Sequence, residues 1–362
     1  MPDTAVGPSP RGRRATIADV AARAGVSQGA VSFALNGRPG VADGTRQRIL
    51  DAARELGWSP SVRARSLSRS TSYSVGLVVA RTTELVGADP FFPAFVAGAS
   101  AELAAHDRSL LFTVVPHIDE ELATYRRLAA ESRVDGVLVT DLRLRDRRLP
   151  ALAELGLPAV TLGRPHRDVA GIGSVAVDDA AGAREVVETL LAQGHRHIAH
   201  VTGPDAYLHV RHRRAAWSTA LADAGVDPGP LVHTDFSAGQ GAAATERLLD
   251  APAPPTAIVY ANDVMAIAGL AVARRRGIDV PGRLSITGFD DTELANHVDP
   301  PLTSVRTDVE GWGRAAARAL LAAVDGGAAE HLELEPARVV HRASVAPPPA
   351  PGRRTPGKGS HR

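Results

Sequence analysis

The chain has 362 residues, a formal net charge of +1 and no cysteine. That length leaves room for more than one domain, and the missing thiols exclude a disulfide framework, a cysteine nucleophile and a zinc–cysteine centre. No apolar run reaches the length of a transmembrane helix, and the polar, Pro-rich N-terminus is unlike a signal peptide, so a cytoplasmic protein is expected. Residues 1–14 read as a disordered basic arm ending in Arg11, Arg13 and Arg14.

Residues 15–60 read as a helix-turn-helix head. Thr16 sits where an N-cap belongs, with Asp19 as its capping-box partner. Ile17, Val20 and Ala21 give a first helix its apolar face, and Gly25 supplies the turn. Ser27 is a fresh N-cap for a second helix running to about Asn36. A third helix follows, capped near Asp43 and carrying Ile49, Leu50, Ala53 and Leu56 inward. The second helix is the candidate reading helix: Gln28, Gly29, Ala30, Ser32 and Phe33 meet bases or phosphates, with Thr16, Ser27 and Asn36 flanking them. Gln28 suits adenine, and Ala30 or Phe33 suits a thymine methyl. The bland alternative is a helical bundle that touches no nucleic acid. Charge favours the DNA reading, because residues 1–70 carry eleven arginines against five carboxylates while residues 71–346 hold nine more acids than bases.

The head resembles the LacI/GalR family of bacterial repressors. The residues that carry the likeness are Thr16–Ala21, Gly25-Val26-Ser27, Val31-Ser32, Leu35-Asn36-Gly37, Thr45-Arg46 and Gly57-Trp58-Ser59-Pro60. The resemblance implies that residues 61–72 are a hinge helix and linker. Leu67 would then wedge into the minor groove, with Arg63, Ala64 and Arg65 beside it on the DNA. Gln28-Gly29 and Phe33 depart from some relatives, so their operator sequences do not transfer.

From residue 73 short apolar runs alternate with helical stretches, which argues for an α/β body with parallel sheets. The predicted strands are Ser74–Val79, Leu110–Val115, Gly136–Thr140, Ala159–Leu162, Val175–Val177, Ile198–Thr202, Ala257–Tyr260 and Leu284–Thr287. The predicted helices are Phe95–His106, Asp119–Ala130, Ala180–Gln193, Arg213–Ala224, Ala242–Leu249 and Val264–Arg275. These are too many strands for one sheet, so residues 73–346 are expected to form two lobes with chain crossings near 177, 304 and 338. The resemblance implies a periplasmic-binding-protein-like, effector-binding and dimerising body. Residues 347–362 read as a disordered tail without an apolar heptad.

Ligands of such sheets bind beyond the carboxyl ends of the strands. The loop Ala80–Pro93 offers Asp89 as an acceptor and Phe92 as a ring face, against the alternative of two buried phenylalanines at a helix start. Arg164 follows another strand with no acidic neighbour in sequence. By resemblance, Arg213 in its Arg-x-x-x-aromatic pattern with Trp217 is the ligand arginine, Asp290 the acceptor, and Asn262 and Asp178 further contacts. His195, His197 and His200 fit a strand start better than a metal site. Gly171-x-Gly173 lacks the rest of a dinucleotide fingerprint, so no cofactor and no catalysis are expected.

The expected function is a repressor, homodimeric on a pseudopalindromic operator and controlled by a small carbohydrate effector. The alternatives are a solute-binding protein of a sugar uptake system and a sugar-active enzyme.

Overall fold

The computed structural model describes residues 15–35, 39–58 and 71–349. It divides into two compact units, Met1–Tyr73 and Ser74–Arg362.

In the first unit, α1 (Ile17–Ala24) starts with a reciprocal cap, since the Thr16 hydroxyl accepts from the Asp19 N–H while the Asp19 carboxylate accepts from Thr16. It ends at Gly25, whose φ of 70° suits glycine. The Ser27 hydroxyl caps α2 (Gln28–Leu35) by accepting from the Ala30 N–H. The predicted cap of α3 (Asp43–Glu55) is corrected: Asp43 is the first helical residue, and Ala42 precedes it without a side-chain cap bond. Val20, Val31 and Ile49 lock the three helices together. Ala52 and Ala53 complete that core, whereas Leu50 is only half-buried and Leu56 is exposed. Arg46 donates to the Ala34 carbonyl at 2.7 Å, fastening the C-terminal turn of α2.

In the second unit, β1 (Ser74–Ala80), β2 (Ser109–Val115), β3 (Gly136–Val139), β4 (Ala159–Leu162), β5 (Ile172–Ala176) and β11 (His331–Glu333) form one sheet. Its order is β11-β5-β4-β3-β1-β2, and every pairing is parallel. Alternation divides its side chains between two cores. Val75, Leu77 and Val79 face α5 (Phe91–Ala105) and α13 (Val309–Val324), whereas Val78, Val137 and Val139 face α6 (Ile118–Ala130) and α7 (Arg148–Glu154).

The second sheet, also parallel, has the order β7-β6-β8-β9. These strands are β6 (Ile198–Thr202), β7 (Leu231–His233), β8 (Ala257–Tyr260) and β9 (Ser285–Thr287). One face packs on α8 (Asp179–Ala192) and α9 (Leu208–Asp223), the other on α10 (Ala238–Leu249) and α11 (Asp263–Arg275). After β9 comes the short helix α12 (Glu293–His297), and an antiparallel pair, β10 (Ser304–Arg306) with β12 (Arg338–Val340), runs beside the point where the chain returns to the first sheet.

Several elements depart from the sequence reading. The predicted loop Ala80–Pro93 holds a helix, α4 (Thr83–Ala88), and its last residues open α5. The sixteen-residue α13 is absent from the predicted helices, although Val309, Ala316, Ala317, Leu320 and Leu321 give it a buried apolar face. Small residues allow a close helix crossing: a Cβ on Gly98 would lie 1.9 Å from the Glu310 carbonyl oxygen, and one on Gly313 2.3 Å from that of Phe95. Strands β7, β10, β11 and β12 have three residues each, too few to show an alternation. No helix among the described residues is long and apolar enough to cross a membrane.

Candidate functional site

Two surfaces stand out. In the head, Val31 and Ala34 are buried, which turns the opposite side of α2 outward. Ser27, Gln28, Gly29 and Phe33 are exposed there, and Ala30 and Ser32 are half-buried. The first turn of α2 contains no acid, so its amide end keeps the polarity that suits a phosphate. Thr16 is committed to its capping box, donating to Asp19 at 2.7 Å. Asn36, Arg63, Ala64, Arg65 and Leu67 lie outside the described residues, as does the expected hinge helix except for its last residues.

In the body, the carboxyl ends of both sheets border a cleft of about 470 Å³. Among the sequence-chosen residues, Asp89, Arg164, Asp178, Arg213, Asn262 and Asp290 line it. Phe92 does not. It is 2 % exposed and packs in the first-lobe core, because the helix that replaces the predicted loop turns it inward and presents Phe91 instead. Trp217 is likewise buried, one turn below Arg213, with its ring centroid 5.5 Å from that of His200.

Arg213 is held in place from three sides. Its Nε donates to Asp179 at 2.7 Å, its Nη1 to the Ala261 carbonyl at 3.3 Å, and its guanidinium lies 3.5 Å from the Phe289 ring centroid. Asp290 follows β9 at φ 100°. Burial pushes its carboxyl well above the ordinary range, and Arg213 works against that rise. Asn262 caps α11 by accepting from the Met265 N–H, while its amide nitrogen donates to the Phe236 carbonyl. Asp178 caps α8 by accepting from the Ala181 N–H. Arg164 has the acidic neighbour its sequence context lacked, donating to Glu333 of β11 at 2.5 Å.

Sequence reasoning missed Arg81, which binds Asp141 through two parallel bonds of 2.7 and 2.8 Å and reaches Asp89 at 3.0 Å. Its guanidinium also lies 5.2–5.4 Å from the ring centroids of Phe92, Tyr207 and Phe236. Burial opposes the Asp141 charge, yet Arg81 prevails and keeps that carboxyl below its usual value. For Asp89 burial wins and the carboxyl rises. Asp141 sits at φ 52°, and its carbonyl is bound by the buried Arg148. A cation at the end of β1 was the available signal for Arg81. The partners of Arg81 are remote in sequence, so the signal was faint.

Phe91 and Trp312 form an aromatic corner with centroids 6.0 Å apart, and the Trp312 indole donates to the Val175 carbonyl at 2.8 Å. His209 stacks on Phe236, and burial with Arg213 nearby pushes its imidazole down to about 4, so it is neutral near pH 7. Rings, paired guanidiniums and an available carboxylate together can bind a polyhydroxylated ligand through an apolar face and vicinal hydroxyls. Among the remaining histidines, His195 bonds Thr256 and Ser285, His197 the Pro254 carbonyl, and His200 the Val259 carbonyl. No group of three metal-ligating side chains occurs among the described residues.

Comparison with known proteins finds matches to both parts of the chain. Residues 16–61 match the pattern of bacterial regulatory proteins of the lacI family, and residues 187–345 that of a periplasmic binding protein-like domain. The HTH-type transcriptional regulator CelR of Thermobifida fusca is 35% identical over 334 residues, 90% of this chain and 96% of that protein. The HTH-type transcriptional repressor CytR of Escherichia coli K12 is 33% identical over 318 residues, 86% and 90% of the two chains. Among solved structures, a CelR–cellobiose complex superposes with a TM-score of 0.70 at 32% identity, covering 91% of this chain and all of that one. The lac repressor dimer bound to operator and an anti-inducer gives 0.79 at 27% identity over 92% of this chain and all of that one.

Proposed function

The chain belongs to the lacI family of bacterial regulatory proteins and is a DNA-binding transcriptional regulator rather than an enzyme, and from that premise we propose a sugar-controlled homodimeric repressor of the cytoplasm. In this reading residues 15–60 read a pseudopalindromic operator, residues 61–72 pair as hinge helices with Leu67 as the wedge, and residues 73–346 bind effector and dimerise.

The observation that carries the sugar reading is that Arg213 and Asp290 line one cleft, which Phe91 and Trp312 wall. A carboxylate and a guanidinium converging on neighbouring hydroxyls give oriented, charge-assisted bonds, and a ring face covers the apolar side of a pyranose. That CelR was solved with cellobiose supports the same ligand class. The homodimer is supported by the edge strand β2, whose Phe112 is 38% exposed on an otherwise apolar run, and by the lac repressor dimer.

Effector bound between the lobes changes how the two first lobes of the dimer meet, and that change orders or releases the hinge, so DNA and effector affinities are reciprocally coupled. A solute-binding protein of an uptake system has no use for the basic reading head, which disfavours that alternative.

The test is fluorescence anisotropy of the full chain on a duplex selected from random DNA, with and without sugars that raise its melting temperature. Asp290→Ala should abolish the sugar response and leave sugar-free DNA binding intact. Leu67→Ser should weaken operator binding and leave sugar affinity intact. A surviving sugar response in the first variant would move the effector elsewhere, and unchanged operator affinity in the second would sink the wedge.

A further inference from the structure

We infer that the cleft is selective for an uncharged polyol and excludes phosphorylated or carboxylated ligands, because its guanidiniums are already neutralised by carboxylates of this chain, with the Arg164–Glu333 pair as the charge determinant; this rests on the sugar reading above. The first observation is the balance of charge. Three guanidiniums line the cleft, and all three are already bound to carboxylates of this chain: Arg81 to Asp141 and Asp89, Arg164 to Glu333, and Arg213 to Asp179. Asp178 and Asp290 line the same cleft with no ion-pair partner among the described residues. Six carboxyl groups therefore face three guanidiniums.

The second observation concerns helix ends, the other common place for an anion. At α8 the Asp178 carboxylate accepts from the Ala181 N–H, and at α11 the Asn262 oxygen accepts from the Met265 N–H. The Leu208 N–H at the start of α9 donates to the Leu142 carbonyl at 2.8 Å. Each of these ends is filled by the protein itself. Two imidazoles of α9, His209 and His212, also line the cleft, and that of the half-buried His209 is neutral near pH 7.

An incoming phosphate thus meets no unpaired guanidinium among the described residues, and it must compete with the bonds already made at the starts of α8, α9 and α11. A neutral polyol needs no free cation. Its hydroxyls donate to Asp290, accept from the remaining N–H groups of Arg213, and leave the existing ion pairs in place. Selectivity of this kind comes from what the site repels as much as from what it attracts.

The experiment uses the full chain in titration calorimetry at pH 7 and constant ionic strength. Matched pairs are compared: cellobiose, trehalose and maltose, each against its 6-phosphate. At least one neutral sugar should bind, and its phosphate ester should bind about tenfold more weakly or worse, since like-charge juxtaposition is costly. A phosphate ester that binds as tightly as its parent sugar overturns the inference. Glu333→Gln leaves Arg164 unpaired at the surface of the cleft, and the gap between the two members should narrow at least threefold through a gain by the ester. An unchanged gap removes the Arg164–Glu333 pair as a determinant and overturns that assignment.

Inorganic phosphate, titrated against matched chloride, separates the two possible failures. Phosphate binding that is lost in Arg164→Ala overturns the charge argument whatever the sugars do. If phosphate is excluded and no sugar binds, the charge argument holds and the sugar reading fails.

Discussion

Replacing Arg81 by Met tests whether the cleft floor is an ion-pair network or merely a packed layer. Arg81 has 8% of its side chain exposed, Asp141 has 11% and Asp89 15%, so the substitution leaves two carboxylates buried without their cation. Breaking a buried pair by removing one partner costs about 3–5 kcal/mol, against about 0–1 kcal/mol for an exposed pair. At roughly 2–4 °C per kcal/mol for a domain of this order of size, the melting temperature should fall on the order of 10 °C. Met keeps most of the apolar stem that packs among Phe92, Tyr207 and Phe236, so the loss is chiefly electrostatic.

The pH dependence gives a second readout. In the parent protein the Asp141 carboxyl is held below its ordinary value, so its pairing contributes stability above that value and loses it as the pH falls. Without Arg81, burial is opposed only by weaker contacts, Arg148 for Asp141 and the Phe91 N–H for Asp89, and both carboxyls rise. A raised carboxyl makes the folded state bind more protons than the unfolded chain, so the variant recovers stability as the pH falls. The deficit should therefore shrink between pH 8 and pH 5. Asp141→Asn in the same background should restore part of the loss, since asparagine tolerates the positive φ of that position. Thermal melts of all three proteins across that range provide the measurement. A deficit under about 1 kcal/mol, as for an exposed pair, or one independent of pH, would refute the reasoning.

Two other predictions test the head and the helix crossing. Gln28→Ala should cost about 1–3 kcal/mol of preference for the selected operator over a single-base mismatch. The salt dependence of binding should stay unchanged, because no phosphate contact is removed; competition anisotropy at several salt concentrations reads both. Gly98→Ala drives a methyl into the Glu310 carbonyl oxygen, which belongs to backbone and cannot move cheaply, so a loss of about 1–3 kcal/mol or more is expected in thermal melts. Gly87→Ala is the control: its Cβ meets nothing within 4 Å, and the change should be neutral or stabilising by about 0.5–1 kcal/mol.

The sequence by itself was enough for the head's helices, the longer buried strands and the kind of protein. Thr16, Gly25 and Ser27 specify caps and a turn within a few residues of themselves, and the head's helices follow from them. Strands such as Ala159–Leu162 and Ile198–Thr202 were legible because a fully buried parallel strand reads as a short apolar run between helices. Asn262 and Asp290 stand shortly after strands, where open sheets present ligand-facing residues, whereas Arg213, inside a helix, was chosen only through the family resemblance.

Tertiary structure decided what depends on distant partners. Phe91 and Phe92 are adjacent and chemically identical, and only the helix that begins there determines which one faces the cleft. Arg164 looked unpaired until β11 brought Glu333 beside it from 169 residues away. The floor built on Arg81 joins residues 60 positions apart, and nothing local in α13 shows that Gly313 is there to let α5 approach. A charge or a small residue carries no mark of its partner in the local pattern. Its role is fixed only when the fold closes the distance.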